Sequence, residues 1–499
     1  MKLNRKLITS LVIVSVCLTG CKKFLEENPE SLIASKDFYN SNAEALAGVN
    51  GVYAAMRPDV TGNIDAVWLA EVTTDDGALG GTAVGERVEL DNLVYSSQHA
   101  FIQRIWNTAY TVINRANNVI AGVDSVTITP SVCRRVHAEA KFLRAMYNFR
   151  LVQLFGDVPL LLEPASSTNL FPSRAPKAAV YDQIINDLKY AELNLDNKYT
   201  YTDVVNGGRA TKGAAKALLG NVYAVMAGFP INDSSKWQLA ADKLNEVITN
   251  KATYGFDIMS SYKDIFDNTK KATNTENIFY YRGTSGVSAS LLAYTRLFYS
   301  FYQFTFVVPT TEVVNTLYEP ADLRKTVSMA KKSGSTIVPI TNATGLPIIG
   351  KYLDANVSNT VDTPNDYPIL RYSDVLLLYA ESLIEIGGTA NLNNALAIIN
   401  NVRRTHGGTA IPLLTYTDQD NLRQTLRLER RRELLFESQR RYDLIRWNIF
   451  VPVMKAHLAA QNSKPIATYD YVNANTLLLP LPYSDYVANA NLRPQNPGY

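Results

Sequence analysis

Along most of the chain, apolar residues recur every three to four positions, the spacing that places them on one face of an α-helix. Ala138, Phe142, Ala145, Phe149 and Val152 follow this rhythm, and Gly156 with Pro159 closes it, so the pattern predicts a helix over 138–155. Two helical hairpins stand out as clearly. One joins 211–227 to 236–249 through a turn, 228–233, that contains Pro230, with Ser234 or Ser235 placed to cap the second helix. The other joins 374–386 to 393–404 across Gly387-Gly388. Ala214, Ala215, Ala217, Gly220 and Ala224 keep one helix surface thin enough for close approach, in the manner of tetratricopeptide hairpins. Their spacing is irregular, so they read as degenerate repeats. The expected fold is mainly α: tetratricopeptide-like helical hairpins forming a scaffold, with long loops and a few short strands. The loops are the Gly-, Thr-, Asn- and Pro-rich stretches 57–100, 156–176, 250–290 and 328–368. Connections of that length commonly carry binding surface.

The first residues break the pattern. Lys2, Arg5 and Lys6 precede an apolar run from Leu7 to Leu18, too short to cross a hydrocarbon core of about 30 Å and suited to an export signal. Leu18, Thr19, Gly20 and Cys21 resemble the lipobox of bacterial lipoproteins, which implies a signal peptide over 1–20 and a lipid-modified Cys21. The whole chain carries 49 Lys+Arg against 46 Asp+Glu, a formal charge of +3. Removal of residues 1–20 leaves the two signs in balance, which excludes a strongly basic nucleic-acid binder. Cys17 leaves with the signal, so Cys133 has no partner for an intramolecular disulfide. It opens a helical pattern and reads as a packing thiol rather than a nucleophile. No later segment holds eighteen consecutive apolar residues, so the body is expected to be soluble and tethered.

Catalytic signatures are sparse. The four histidines, His99, His137, His406 and His457, form no HExxH motif or tight His/Cys cluster, so no metal is expected. Gly345, Gly350 and Lys351 imitate a phosphate loop, but Tyr352 replaces the hydroxyl residue that would meet magnesium and Pro347 interrupts the loop. No GxSxG elbow is present, and no cofactor is expected. Glu429, Glu433 and Glu437 recur every fourth residue among Arg430, Arg432, Arg440, Arg441 and Arg446. The spacing could offer paired carboxylates for glycoside hydrolysis. Surrounding arginines, however, would strip an acid catalyst of the raised pKa it needs, so the cluster reads as a structural ion network with Glu437–Arg441 as one pair.

Aromatic residues supply the better candidates. Tyrosine is abundant, 29 residues against 17 Phe and 4 Trp. Between Tyr294 and Phe306, seven of thirteen positions are aromatic, among them Phe298, Tyr299 and Tyr302, more than one helix face can bury. Exposed rings stack on sugar C–H faces or on peptide side chains. A second polar loop offers Asp75, Asp76, Arg87 and Tyr95, whose charged groups can fork onto ligand hydroxyls.

An ordered set of motifs resembles the SusD/RagB family of nutrient-binding outer-membrane lipoproteins of Bacteroidetes. It runs from Cys21-Lys-Lys-Phe-Leu-Glu26 through Trp106, Tyr110 and Asn114, Ala140 to Arg144, Phe155-Gly-Asp-Val-Pro159 and Asn274-Thr-Glu-Asn-Ile-Phe279. It continues with Tyr367-Pro-Ile-Leu-Arg-Tyr-Ser-Asp374, Ala380-Glu381, Asn400-Asn-Val-Arg403, Glu429 to Glu437, Asp443-Leu-Ile-Arg-Trp447 and Gln495-Asn-Pro-Gly-Tyr499. The resemblance implies an N-terminal SusD-like helical region, 21–255, forming one compact unit with a C-terminal region, 256–499. It also implies a non-enzymatic lid over a SusC-like TonB-dependent transporter, capturing an oligosaccharide, a glycan fragment or, as in RagB-like members, a peptide. A scaffold lipoprotein and a glycosidase are the remaining alternatives. The family's ligand-contacting regions correspond to the segments before Trp106 and after Phe279, which selects Asp75, Asp76, Arg87, Tyr95, Tyr294, Phe298, Tyr299 and Tyr302. Neither segment's candidates include Trp, which argues against a starch-like ligand.

Overall fold

The computed structural model describes residues 38–59, 65–80, 85–123, 128–284, 307–333, 336–353 and 364–499. Cys21 and the aromatic segment 294–306 lie outside them.

The helical periodicity becomes a row of long helices: α1 (Asn42–Ala55), α2 (Asp65–Val72), α3 (Ala100–Gly122), α4 (Pro130–Phe155), α5 (Lys177–Asn194), α6 (Lys212–Ala227), α7 (Lys236–Thr249), α8 (Tyr372–Ile386) and α9 (Thr389–Gly407). From α3 onward each helix packs on the next. The sequence signals sit at the expected ends. Thr211 accepts a hydrogen bond from the Ala214 amide to cap α6, and α8 ends on Gly387 and Gly388, whose φ values of 80° and 85° suit glycine. A Cβ on Gly220 would lie 2.6 Å from Leu244 Cδ2, so the α6–α7 hairpin depends on that missing side chain. The cap of α7 differs from expectation. Neither serine hydroxyl closes the helix, and Asp233 instead accepts from the Ser235 amide and hydroxyl.

The stretches read as loops contain short strands. β1 (Gly77–Leu79) pairs with β3 (Val307–Pro309), β2 (Asn277–Tyr281) with β7 (Tyr367–Arg371), and β4 (Met329–Ser333) lies between β5 (Thr336–Pro339) and β6 (Leu346–Ile349), all antiparallel. Strands of three to five residues are too short to show an alternating pattern. Gly345, suspected of imitating a phosphate loop, precedes β6 with φ 111°.

The C-terminal half folds around buried charge. α10 (Gln419–Glu433) is capped by Asp418, which accepts from the Asn421 amide, and is followed by α11 (Arg440–Arg446) and α12 (Phe450–Asn462). Glu433 is fully buried and meets Arg371 at 3.0 Å, Arg324 at 3.2 Å and His406 Nδ1 at 2.9 Å. Arg371 also donates to Glu276 at 2.5 Å, to Ser373 at 2.7 Å and to both oxygens of Glu437 at 2.6 and 2.8 Å. Its guanidinium, 1% exposed, thus uses every nitrogen. Glu429 takes Arg324 at 2.7 Å and Arg403 at 3.0 Å. The structural network is therefore present: Arg432, one of the expected arginines, lies 3.6 Å from Glu429, while the closer partners, Arg324, Arg371 and Arg403, come from elsewhere in the chain. α10 stops at Glu433, and Phe436 and Ser438 turn the chain with φ near 60°, so Glu437 leaves the common helix face. Arg441 bonds Thr73 at 3.1 Å instead of pairing with Glu437.

Other motif residues play the same part. Arg446 forks onto Glu381 at 2.6 and 2.7 Å, and Trp447 Nε1 donates to the same carboxylate at 2.6 Å. Arg144 forks onto Asp187 at 2.8 Å and donates to Asn117 at 2.8 Å, locking α3, α4 and α5 together. Cys133 donates to the Val123 carbonyl at 3.3 Å, in keeping with a packing thiol.

Removing one partner of such a network strands the others. Arg371→Leu should therefore cost about 3–5 kcal/mol, read as a lowered urea midpoint. The network also sets a pH window. Burial opposes the charge on His406, but Glu433 and Glu276 prevail and raise it to about 10. Its contribution is full below the unfolded value near 6.5 and is lost as pH rises through about 10. Burial likewise raises the Glu276 and Glu433 carboxyls, but His406 and Arg371 hold both below the ordinary 4.5, so their contribution is lost as pH falls below that value. The contribution of these three groups to melting temperature should be greatest between about pH 4.5 and 6.5. His406→Gln should flatten the decline from pH 6.5 to 10. Lys351, depressed by burial to about 8, acts in the opposite direction, and the wild-type-minus-variant difference isolates the histidine.

Candidate ligand-binding site

The two segments singled out by sequence meet at a three-residue ribbon. β1 and β3 pair Gly77 with Pro309, Ala78 with Val308 and Leu79 with Val307. Because they run antiparallel, the chain leaves β1 toward residues 80–99 at the same end where it enters β3 from residues 294–306. Tyr294, Phe298, Tyr299 and Tyr302 themselves lie outside the described residues, but the root of their segment is fixed beside the root of the other.

Asp75 and Asp76 hold that root. The Thr310 amide donates to the Asp76 carbonyl at 3.0 Å, and its hydroxyl to the Asp75 carbonyl at 2.9 Å. The Asp75 carboxylate accepts a fork from Arg440 at 2.7 and 2.8 Å. Arg431 reaches Asp76 at 2.7 Å, Asp75 at 3.1 Å and, beyond β3, Glu312 at 2.7 Å. One guanidinium from α10 therefore bridges both stems. Burial would raise the Asp75 carboxyl, but Arg431 and Arg440 hold it well below the carboxylate range. Sequence reasoning assigned these acids to ligand hydroxyls. Their lone pairs serve the arginines instead, so they position the ribbon.

Arg87 is half-buried, with its guanidinium carbon 5.0 Å above the Trp68 ring. Tyr95 is buried, its ring stacked at 6.2 Å on Tyr499 and edge-on to His99 at 6.3 Å. Tyr499, 37% exposed, is the partner that reaches the surface. Sequence reasoning missed it and Trp68, since nothing local links Tyr95 to the last residue of the chain. Among the described candidates, Arg87 is half-buried, whereas Asp75, Asp76 and Tyr95 are buried.

Two other clusters have chemical capacity on paper. Glu276, His406 and Glu433 place donor atoms within 4.8 Å of one another. Arg371 and Arg324 already neutralise these carboxylates, and His406 Nε2 lies 3.0 Å from the Met259 carbonyl, an arrangement hostile to a further cation. The depressed Glu433 carboxyl is equally unsuited to a general acid. A cleft of about 130 Å³ lined by Asp59, Tyr281 and Tyr367 is the second. The Tyr147 and Tyr281 hydroxyls donate to one Asp59 oxygen at 2.5 and 2.8 Å, and Arg150 pairs with the same atom. These contacts tie α4 to β2.

If Arg431 clamps the ribbon, Arg431→Met should raise amide exchange at 77–79 and 307–308 by about tenfold or more while exchange across α4 and α6 stays unchanged. A tenfold rise corresponds to about 1.4 kcal/mol of local opening.

Residues 23–224 match a family model described as starch-binding associating with outer membrane, and residues 294–499 match the model of the SusD family. SusD-like protein P2 of Formosa agariphila is 29% identical, the alignment covering 99% of this chain and 100% of that one. SusD-like protein P25 of the same organism is 25% identical over 90% and 91% of the two chains. The crystal structure of a SusD homolog from Bacteroides thetaiotaomicron superposes with a TM-score of 0.77 at 24% identity, covering 93% of this chain and 98% of that one. A laminarin-binding SusD-like protein gives 0.74 at 25% identity, covering 92% and 100%. The helical hairpins, the motif residues buried as ion pairs and the matches to both halves lead to one conclusion: the chain belongs to the SusD/RagB family.

Proposed function

We propose that this protein is a carbohydrate-binding lipoprotein of the outer membrane, anchored through acylated Cys21, that binds an oligosaccharide or glycan fragment. It passes the ligand to a SusC-like TonB-dependent transporter and acts as the transporter's lid. Its role is capture rather than catalysis. The observation that carries this reading is the shared ribbon: segments 80–99 and 294–306, one with Arg87 and the other with seven aromatic residues, leave from paired strands at one end. A guanidinium and aromatic rings are groups that suit a sugar, which offers hydroxyl edges and C–H faces. The laminarin-binding relative supports the glycan class. The outer-membrane wording of the N-terminal family model supports the location, and among the described residues no helix is long and apolar enough to cross a membrane.

Isothermal titration of residues 22–499 against laminari-, malto- and xylo-oligosaccharides and short peptides tests the reading. Binding of at least one oligosaccharide is expected, and Tyr294→Ala with Tyr299→Ala should weaken it about tenfold, or about 1.4 kcal/mol. Unchanged affinity in the double variant would remove these residues from the site. Binding of peptides alone would favour the RagB-like alternative.

A further inference from the structure

A second cleft, on the opposite stem of the aromatic segment, has a lining unlike that of a packing defect. It has a volume of about 330 Å³, within the roughly 300–1,000 Å³ of small-ligand sites. Tyr199, Tyr201, Tyr254, Phe256 and Tyr280 supply its aromatic lining, threonines and asparagines its neutral polar groups, and Lys198, Arg209, Lys271 and Asp366 its charges, of which Arg209 is paired with Glu139 and Lys271 with Asp366. The Tyr201 and Tyr280 rings lie nearly parallel, at 14°, with centroids 6.2 Å apart.

The walls are held from behind. Arg282 sets its guanidinium carbon 4.5 Å over Tyr201 and donates at 3.2 Å to the carbonyls of Asp203 and Gly207. The Tyr201 hydroxyl donates to Asp366 at 3.3 Å, and Asp366 also accepts from the Gly283 amide at 2.9 Å. Lys271 closes the corner, 3.4 Å from Asp366 and 3.0 Å from the Gly283 carbonyl. The Asp203 carboxylate fixes the loop above by accepting from the amides of Val205 and Asn206, both at 2.9 Å. A wall ordered in advance lowers the entropic cost of binding. One acceptor remains unmet: Asn277 Oδ1 is buried without a hydrogen-bond partner on a residue that lines the cleft. A hydroxyl from a ligand would satisfy it once the Asn277 amide turns toward the cleft.

We propose that this cleft is a second carbohydrate site, one that takes neutral pyranose units of an oligosaccharide against Tyr201 and Tyr280 and offers Asn277 Oδ1 to a sugar hydroxyl. The proposal rests on the glycan-binding reading but involves different residues. Tyr280 and Arg282 belong to β2 and its exit, so the site stands at the far root of the segment whose other root is the β1–β3 ribbon.

Hydrogen–deuterium exchange on the full chain in detergent, with laminarihexaose, maltohexaose and xylohexaose as probes, separates the two ideas. A hexasaccharide that binds should protect 199–202 and 273–278 as well as 80–99. Ala272→Trp, which fills the cleft from an exposed rim position, should abolish the first protection and leave the second. Tyr201→Ala should weaken the cleft site at least fivefold, and Tyr201→Phe should retain it. Protection of 80–99 alone, or cleft protection indifferent to Ala272→Trp, overturns the second site and leaves the proposed function standing. Protection nowhere with any of the three sugars overturns both.

Discussion

Burying a guanidinium is costly unless each of its donors finds an acceptor, and this chain buries several. Arg324, Arg371, Arg403 and Arg430 are among its largest fully enclosed side chains. Each can be enclosed only if carboxylates or carbonyls from other parts of the chain arrive together. Arg371 ends β7, Glu276 precedes β2, Glu433 ends α10 and Glu437 lies in the turn beyond. The position of the short β2–β7 sheet against α10 is therefore an electrostatic requirement as much as a hydrophobic one. Misplacement of any one of these elements would leave a charge in a low-dielectric interior.

α10 connects this requirement to the β1–β3 ribbon. Glu429, Arg430 and Glu433 face the buried network, while Arg431 points to Asp75, Asp76 and Glu312. One turn of helix therefore carries charges committed to opposite tasks. The motif residues that reveal the family serve the first: Glu381, Arg403, Asp443 and Arg446 hold helices together through buried ion pairs. Family membership is written in the scaffold.

The helices and their hairpins were legible because a helix of fourteen or more residues repeats its apolar face several times and ends on recognisable signals. The strands were not, since β1 finds its partner more than two hundred residues away and neither strand is long enough to alternate. The ion network was legible as a network but not in its pairings. The four-residue rule proposed Arg441 for Glu437, and it fails because the helix ends four residues before Glu437. Asp75 and Asp76 resembled ligand-binding acids for the same reason: an acid in a polar loop gives no sign of the arginine that will reach it from residue 431 or 440. Tyr95 belongs to a stretch that reads as a polar loop, yet its ring is buried and stacked on the chain's last residue.

The β1–β3 ribbon has only three residue pairs, yet it sets the roots of two segments on strands about 4.8 Å apart. Such a root separates length from stability. Residues inserted or deleted between Leu79 and the buried Leu90, or before Val307, lie outside the register that Arg431 clamps. Under the proposed glycan-binding role, ligand range can diversify through the lengths of two neighbouring segments, away from the buried charges that keep the molecule folded.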